Sequence, residues 1–363
     1  TGEESWAETS GTTWTGIKFK KSDVAVYANP EDVEITQSKI WNSNTVGIQN
    51  IYEDESGEYI IFEPQQPFGA IFSTMAWACN LVGTGSITIR NTLENLKNPG
   101  EFYFDRGEKT LYYYPPAGAD INDMEFVIPE SEGFMRINGE STSERVENIE
   151  FSGIQFSYDD YNLEVIDDPE NGLHAIGYGG VQSLGLYRKF ADHGNWHHSW
   201  YNIVDTPYAS VDVQNAQGIV FEGNRFMNIS SSCGVSYTND VIDSTIQGNA
   251  FINVAGNATN IGHPQHVFIG EDAKSENQRF PVGVEGVCKN DQVVYNLVRN
   301  VSSEFYQCDA IMAFFVENCD FSHNDVADVP YTCMCVGWGW WNFNGDADSE
   351  VPGNRTLTAK NNR

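Results

Sequence analysis

A repeat in the second half of the chain constrains the fold more than any other feature. Asparagine follows a short apolar stretch at regular places: Asn224, Asn249, Asn296, Asn324 and, as we place it, Asn361. A second Asn or Asp comes four residues later. The first three intervals are 25, 47 and 28 residues, and the long one holds either an insertion or nearly two coils. This period, with β-branched residues and asparagine at turns, predicts a parallel β-helix.

A second set of short strands supports the same fold. It follows the second Asn of each repeat, at residues 234–237, 258–261, 310–314 and 333–336. We expect the asparagines to stack and hydrogen-bond along the axis, and Asp328, which aligns with Asn300, to belong to such a ladder. A leucine-rich repeat has a similar period, but its leucine pattern is absent.

The sequence predicts two regions. Residues 1–135 are strand-rich and dense in turn signals, which favours a β-sandwich-like region packing on the helix. Residues 136–363 form the β-helix, with a long insertion at 158–205 that interrupts the repeat and that we interpret as a functional loop. We expect the helix to continue beyond residue 363, because a half-coil leaves an exposed strand edge.

The charge excludes some partners. Twenty Lys and Arg face 51 Asp and Glu, a net charge of −31, which repels nucleic acid and anionic membranes. No apolar run has the length of a membrane span. Four Asn-X-Ser/Thr sequons, at Asn228, Asn257, Asn300 and Asn354, fit a secreted glycoprotein. We therefore expect a secreted, extracellular or cell-surface protein, and the sequence leaves its oligomeric state open.

Seven cysteines are present, and one of them, Cys79, stands apart. The others crowd the C-terminal half: Cys233, Cys288, Cys308, Cys319, Cys333 and Cys335. None has the paired spacing of a zinc site, so we predict no metal and no cofactor. In an oxidising compartment, pairing among the six predicts disulfides.

Three segments resemble right-handed parallel β-helix glycoside hydrolases: residues 98–115, residues 210–226, and residues 323–331 with the following 336–340. The third segment is similar to glycoside hydrolase family 141, and the related family 136 lacto-N-biosidases share the architecture. The resemblance spans roughly residues 60 to 363. It implies a right-handed parallel β-helix and a glycosidase activity on complex oligo- or polysaccharides. The pair Cys333 and Cys335 departs from the small Ser-Gly residues usual in this coil.

Glycoside hydrolysis usually needs two carboxyl groups flanking the scissile bond. Strands stacked about 4.8 Å apart can place outward carboxylates at such spacings. Asp212 alternates with apolar neighbours and should point outward, Asp240 follows one strand of the same face, and Asp309 opens another. We predict these three as catalytic candidates, Asp309 first. With 51 acidic residues, each could equally be a turn cap or a solvated side chain.

Aromatic and histidine side chains supply candidate sugar contacts. Exposed aromatic rings offer sugar rings an apolar platform. The candidates are Trp338, Trp340, Trp341, His263, His266, Trp196 and Trp200. Packing beneath a loop is the alternative for each tryptophan, and an ordinary loop position is the alternative for each histidine.

Two alternatives to a hydrolase stay open. A polysaccharide lyase on the same helix would need Ca²⁺ ligands and a basic residue near an anionic sugar, and the nearest basic residues in sequence are Lys289 and Arg299. A non-catalytic extracellular β-helix could instead bind glycans or serve as a structural surface protein. Substituting the candidate aspartates would lower the rate of an enzyme by orders of magnitude and leave binding by such a protein unchanged.

Overall fold

The computed structural model describes residues 3–4, 16–39, 42–65, 86–161, 164–168, 173–181, 209–262, 285–314, 316–336 and 359–363. The chain divides into two compact units: Thr1–Val127 with Leu163–Gly179, and Ile128–Asn162 with Gly180–Arg363. The described residues are all-β and contain no α-helix. Their helical segments are three short 3-10 turns, Pro30–Asp32, Leu93–Asn95 and Ile121–Asp123.

The first unit is built from antiparallel strands. They are β1 (Glu3–Glu4), β2 (Ile17–Lys20), β3 (Glu34–Ser38), β4 (Asn42–Glu53), β5 (Tyr59–Pro64), β6 (Ser86–Arg90), β7 (Phe102–Asp105), β8 (Thr110–Tyr113), β13 (Glu164–Asp168) and β14 (Leu173–Val181). One sheet has the order β1-β2-β5-β4-β14-β13, with β3 pairing with both β4 and β6. The long strand β4 pairs with β3 through its first half and with β5 through its second half.

Part of the predicted insertion is regular structure. Strands β13 and β14 form an antiparallel hairpin within the first unit, so residues 158–205 are not a loop throughout. The sequence carries a signal for this hairpin that we missed, because Pro169 and Gly172 separate two apolar runs. The turn itself, residues 169–172, lies outside the described residues.

The hairpin of β7 and β8 corresponds to the first segment of the family resemblance. Its Tyr103 is buried, and the phenol donates a hydrogen bond to Asp32 Oδ2. Arg106, in the connecting turn, pairs with Glu34 and donates to the carbonyl oxygen of Asp32. These contacts attach the hairpin to the Pro30–Asp32 turn of the same unit.

The second unit contains the parallel strands. They are β9 (Met135–Asn138), β10 (Val146–Glu147), β11 (Glu150–Ser152), β12 (Gln155–Ser157), β15 (Val211–Gln217), β16 (Val220–Glu222), β17 (Arg225–Ile229), β18 (Cys233–Ile242), β19 (Thr245–Gln247), β20 (Ala250–Val254), β21 (Asn257–Ile261), β22 (Cys288–Lys289), β23 (Gln292–Val294), β24 (Leu297–Val301), β25 (Asp309–Ala313), β26 (Val316–Glu317), β27 (Asp325–Ala327) and β28 (Thr332–Val336).

Successive strands of the chain belong in turn to three parallel sheets. The first sheet has the order β10-β15-β18-β21-β25-β28, with β9, β22 and β26 at its side; we call it the long sheet. The second has the order β11-β16-β19-β23, and the third has β12-β17-β20-β24-β27. Each strand pairs in parallel with the strand one repeat later, as in β16 with β19 and β17 with β20. This arrangement is consistent with a β-helix-like fold.

Identical side chains stack inside this unit. Phe156, Phe226 and Phe251 occupy the same position of successive repeats, and their rings are 4.8 Å apart and nearly parallel. The spacing equals the distance between neighbouring strands, about 4.8 Å, so each ring packs on its counterpart in the next repeat. The apolar positions of the repeat therefore form the core of the unit.

A buried asparagine ladder joins the second and third sheets, as the sequence predicted. Asn249 Oδ1 accepts hydrogen bonds from the backbone N–H and the amide of Asn224, at 2.9 and 3.1 Å. Its own amide donates to the carbonyl oxygen of Phe221. Asn249 bonds directly to Asn296, so the 47-residue interval is one coil with an insertion. The last rung is Asn362 and not Asn361, an error of one residue.

The predicted disulfides are not present. All six described cysteines are free, and four of them, Cys233, Cys288, Cys308 and Cys319, are buried. Unpaired cysteine packs as a small apolar side chain, which suits the interior of a narrow coil. Cys333 and Cys335 lie on one strand, β28, where side chains two positions apart point the same way and do not converge. Cys79 lies outside the described residues.

Candidate active site

The long sheet carries a row of polar side chains on its outer face. Parallel pairing aligns Asp212 of β15 with Arg136 of β9 and Ser236 of β18, and then with Asn260 of β21. The alignment continues through Met312 to Cys335. We call these six residues the Asp212 row. Its direction follows from strand alternation, because the flanking residues Val211, Val213, Val235 and Tyr237 all belong to the core.

The middle of the row, from Asp212 to Met312, is buried although it points away from the core, whereas Arg136 at one end is exposed. Asp212, Ser236 and Asn260 are 7%, 2% and 4% exposed. Polar groups removed from water outside a core are typical of a ligand or catalytic site. Among the described residues, Asp212 keeps one hydrogen bond, accepted at Oδ2 from the backbone N–H of Ala209 at 3.2 Å.

Burial changes the acidity of Asp212. Loss of water raises its pKa to about 7, and the Ala209 hydrogen bond and the positive charge of Arg136 offset only part of that rise. A carboxyl group with a pKa near neutrality can hold a proton and give it up in the same pH range. Asp212 therefore has the acidity of a general acid.

Asp309 is a second acid of unusual pKa on the same sheet. It begins β25, is fully buried, and neither carboxylate oxygen has a hydrogen-bond partner among the described residues. Burial raises its pKa to about 8. Thr332 and Cys335 lie beside the carboxyl group and favour its charged form slightly, but neither makes a well-formed hydrogen bond with it.

Asp212 and Asp309 do not form a close pair. Their strands, β15 and β25, are three steps apart in the long sheet, which places them about 14 Å apart across the sheet. Carboxyl pairs that flank a glycosidic bond are separated by roughly 5 to 9.5 Å. At one and two steps from Asp212, the row contains Arg136, Ser236 and Asn260, none of them an acid.

Asp240 has a different environment. It accepts hydrogen bonds from Nε and Nη2 of Arg145, at 2.6 and 3.1 Å, and only 5% of its side chain is exposed. It lies four residues beyond Ser236 on β18, about 13 Å along the strand. This bidentate ion pair gives Asp240 a structural role and separates it from the Asp212 row.

The thiols and Arg136 are the parts of the site that sequence reasoning missed. The thiols of Cys233 and Cys308 lie near Asp212 and Asp309 respectively, and burial raises the pKa of both thiols well above its usual value. Both thiols stay protonated and are weakly polar. They therefore exclude water from the carboxyl groups but supply no positive charge to compensate a carboxylate. Arg136 comes from the first repeat, and only the strand pairing reveals that it neighbours Asp212.

The predicted sugar contacts lie outside the described residues: Trp338, Trp340, Trp341, His263, His266, Trp196 and Trp200. Within the described residues, no group of three or more His, Cys, Asp or Glu side chains could hold a metal ion, and the absence of a metal stays a prediction. The described part of the chain also contains no helix with the length and hydropathy of a membrane span.

Comparison with known proteins gives one informative similarity. No family model matches the chain, and no curated protein matches it. A solved structure named "Glycoside hydrolase" superposes on 89% of this chain with a TM-score of 0.68 and 21% sequence identity. The chain spans 55% of the length of that protein. The chain thus shares its fold with a glycoside hydrolase, and at this identity the likeness describes the fold alone.

Proposed function

We propose that the chain is part of a secreted glycoside hydrolase related to families 141 and 136 and acting on complex oligo- or polysaccharides, that its second unit is a right-handed parallel β-helix, and that Asp212 is the proton donor. The observation that carries the proposal is a buried acid of pKa about 7 in an outward polar row of the long sheet. The shared fold with a glycoside hydrolase supports the choice of substrate class.

In this mechanism, Asp212 protonates the glycosidic oxygen as the bond to the leaving sugar breaks. Water adds to the anomeric carbon, and the proton that the water releases restores Asp212 through solvent. Arg136, its neighbour in the row, favours the carboxylate that forms after proton transfer. Ser236 and Asn260 can hydrogen-bond sugar hydroxyls, because they share the outer face of the row. Asp309 is too far away to flank the same bond, so we assign it no direct step.

The experiment begins with a panel of neutral and acidic oligosaccharides. Products are analysed by mass spectrometry for added water and by ultraviolet absorbance for unsaturated ends. We expect added water, and activity that falls as pH rises through about 7, because Asp212 must hold its proton to act. Asp212→Asn should lower kcat by roughly 10²–10⁴-fold and remove this fall.

A leaving-group comparison separates proton donation from a structural role. An aryl glycoside with a good leaving group needs little protonation, so Asp212→Asn should impair its hydrolysis much less than that of the natural linkage. Asp243→Asn is the matched control, because Asp243 is exposed and accepts hydrogen bonds from Gln217 and Asn290 in a ladder where asparagine is already present. Equal losses on both substrates, or equal losses in both variants, would contradict the assignment.

The spacing of Asp212 and Asp309 favours one alternative, a non-catalytic extracellular β-helix that binds glycans or serves as a structural surface protein. No turnover across the panel, with glycan binding unchanged by Asp212→Asn, would establish that alternative. Unsaturated products would indicate a lyase instead and would call for a search for bound Ca²⁺.

A further inference from the structure

The residue directly before each rung of the buried asparagine ladder has a left-handed backbone conformation, with positive φ. These residues are Gly223, Gly248, Tyr295, His323 and Asn361, and Gly153 holds the same position in the first repeat; their φ angles lie between 55° and 69°. We call this set the left-handed row. Glycine adopts this conformation freely, whereas a bulky side chain there is strained. Tyr295 is therefore an exception in a position that three earlier repeats give to glycine.

Tyr295 is also the most exposed aromatic residue among those described in the second unit. Its side chain is 62% exposed, and its ring stacks on His323 with centroids 4.7 Å apart and planes 10° apart. The spacing matches the rise from one coil to the next, so the two rings stack along the axis. The amide of Asn361 lies 3.3 Å from His323 Nε2 and continues the row beyond the ring pair.

The other face of the Tyr295 ring is directed to a part of the row that has no side chains. The preceding member is Gly248, joined to this repeat by the hydrogen bond from its N–H to the carbonyl oxygen of Val294. A Cβ atom at Gly248 would approach no described atom closer than the Gly223 backbone nitrogen, at 3.9 Å. The Tyr295 face and the glycines Gly248 and Gly223 thus form an open slot on the turn.

Polar groups border this slot. Glu222 and Gln247 directly precede the two glycines, and the Gln247 amide donates to Glu222 Oε1 at 2.8 Å. Arg225 begins the strand on the other side and is exposed. An apolar ring face, flanked by a carboxylate, an amide and a guanidinium group, matches a sugar ring, which has an apolar face and a rim of hydroxyl groups.

We propose that this slot is a second, non-catalytic carbohydrate-binding site, in which one sugar ring of a neutral glycan stacks on Tyr295 above Gly248. The site lies on the turn between the second and third sheets, whereas the Asp212 row lies on the long sheet. The choice of a glycan as occupant rests on the proposed function, but the slot rests on its own geometry. The net charge of −31 disfavours an anionic glycan.

Two variants of the full chain test the site. Tyr295→Gly restores the glycine of the earlier repeats and removes the platform. Gly248→Asn places a side chain opposite the ring, in a conformation that asparagine tolerates and that Asn361 already adopts in this row. The matched control is Tyr158→Gly, because Tyr158 is likewise an exposed tyrosine with positive φ, on another turn of the same unit.

Binding is measured by affinity electrophoresis and calorimetry with galactomannan, xyloglucan and laminarin, and with polygalacturonate as the anionic comparison. At least one neutral polymer should bind, and both site variants should weaken that binding by about tenfold while the control does not. The melting temperature of each variant is recorded, so that loss of binding is separated from loss of folding. Undiminished binding in Tyr295→Gly, binding to polygalacturonate alone, or self-association that depends on Tyr295 would each overturn the proposal.

The two proposals fail separately. Hydrolysis that proceeds while Tyr295→Gly changes no binding would contradict only the second site. Tyr295-dependent binding in a protein that hydrolyses no glycan would contradict only the catalytic assignment of Asp212.

Discussion

At Asp309 a carboxyl group has lost water without gaining hydrogen bonds from the described residues in return. Asp212 is nearly as buried but retains the Ala209 N–H and the nearby charge of Arg136. This difference is consistent with the pKa of about 8 at Asp309 and about 7 at Asp212. A buried acid without hydrogen bonds destabilises the folded state once it ionises. Such acids are common in catalytic sites.

We predict that Asp309→Asn stabilises the protein at alkaline pH. The folded protein keeps the Asp309 proton up to a pKa of about 8, whereas the unfolded chain releases it near pH 4. The unfolded state therefore binds fewer protons between these values, and stability falls as pH rises through them. Asparagine removes the buried charge, so the variant's advantage should grow from pH 5 to pH 9, to the order of a few kcal/mol. Chemical denaturation at several pH values measures it.

Asp325→Asn is the opposite control. Arg299 and Arg363 pair with Asp325 and lower its pKa, so its ionised form favours the folded state above its unfolded pKa. Removing that charge should not stabilise the protein at any alkaline pH. If Asp309→Asn gave a constant change in stability across the pH range, its carboxyl group would not be the titrating group.

The free cysteines give a second prediction for single residues. Without reductant, alkylation of the unfolded protein should add at least six groups by mass, because all six described cysteines are free thiols. In the folded protein, Cys333 should react first, since it is exposed, whereas Cys233, Cys288 and Cys308 are fully buried with raised thiol pKa values. Fewer than six additions after unfolding would show that disulfides form in solution.

At the scale of the repeat, two asparagine ladders differ in burial. Asn249 is 1% exposed, and its side chain satisfies two backbone groups of the preceding repeat, the N–H of Asn224 and the carbonyl oxygen of Phe221. Asn253 belongs to an outer ladder, where its amide donates to Asn228 Oδ1 in an exposed position. The inner ladder supplies hydrogen-bond partners to buried backbone groups that water does not reach. In the outer ladder, water can form the same hydrogen bonds in place of the asparagine side chains.

We predict that Asn249→Ala lowers the free energy of unfolding by roughly 3 kcal/mol, since it leaves buried backbone groups of Asn224 and Phe221 without their partners. Asn253→Gly is the control, because glycine keeps the left-handed backbone of that position and removes only two exposed hydrogen bonds, with Asn228 and Asn300. Its cost should stay below about 1 kcal/mol. Urea denaturation of both variants measures the difference, and equal costs would contradict a special role for the inner ladder.

Local repetition explains why these ladders could be predicted from the sequence. Each rung follows the same short pattern, so Asn224, Asn249, Asn296 and Asn324 were assigned before any contact was known. The last rung was misplaced by one residue, because Asn361 and Asn362 are adjacent and only the hydrogen bonds distinguish them. The hairpin of β13 and β14 was missed because its sequence lies between repeats, and it was interpreted as a loop.

The candidate site was harder to predict, because it depends on the order of strands. Asp212 was placed outward correctly from its alternation with Val211 and Val213. Its separation from Asp309 depends on how many strands lie between them, and the sequence left open whether the long interval held one coil or two. Arg145 lies 95 residues from Asp240, so no local pattern indicated their ion pair.

At the scale of the molecule, most packing in the second unit is between neighbouring repeats. The strands of the long sheet pair in series, and aromatic and asparagine stacks follow the same direction. Interactions of this kind make stability a sum over neighbours. Electrostatic repulsion opposes this short-range attraction. It acts over the whole chain, because 51 acidic residues outnumber 20 basic ones.

We predict that sodium chloride stabilises the protein at neutral pH. Raising the salt concentration from about 0.01 to 0.15 M shortens the Debye length from roughly 30 to 8 Å, which screens repulsion among the excess carboxylates. The melting temperature should rise by about 2–4 °C for each kcal/mol of repulsion removed. Near the sequence pI of about 4.3 the net charge is small, and the same addition of salt should have little effect. A salt response of the same size at both pH values would mean that net charge does not limit the stability of this protein.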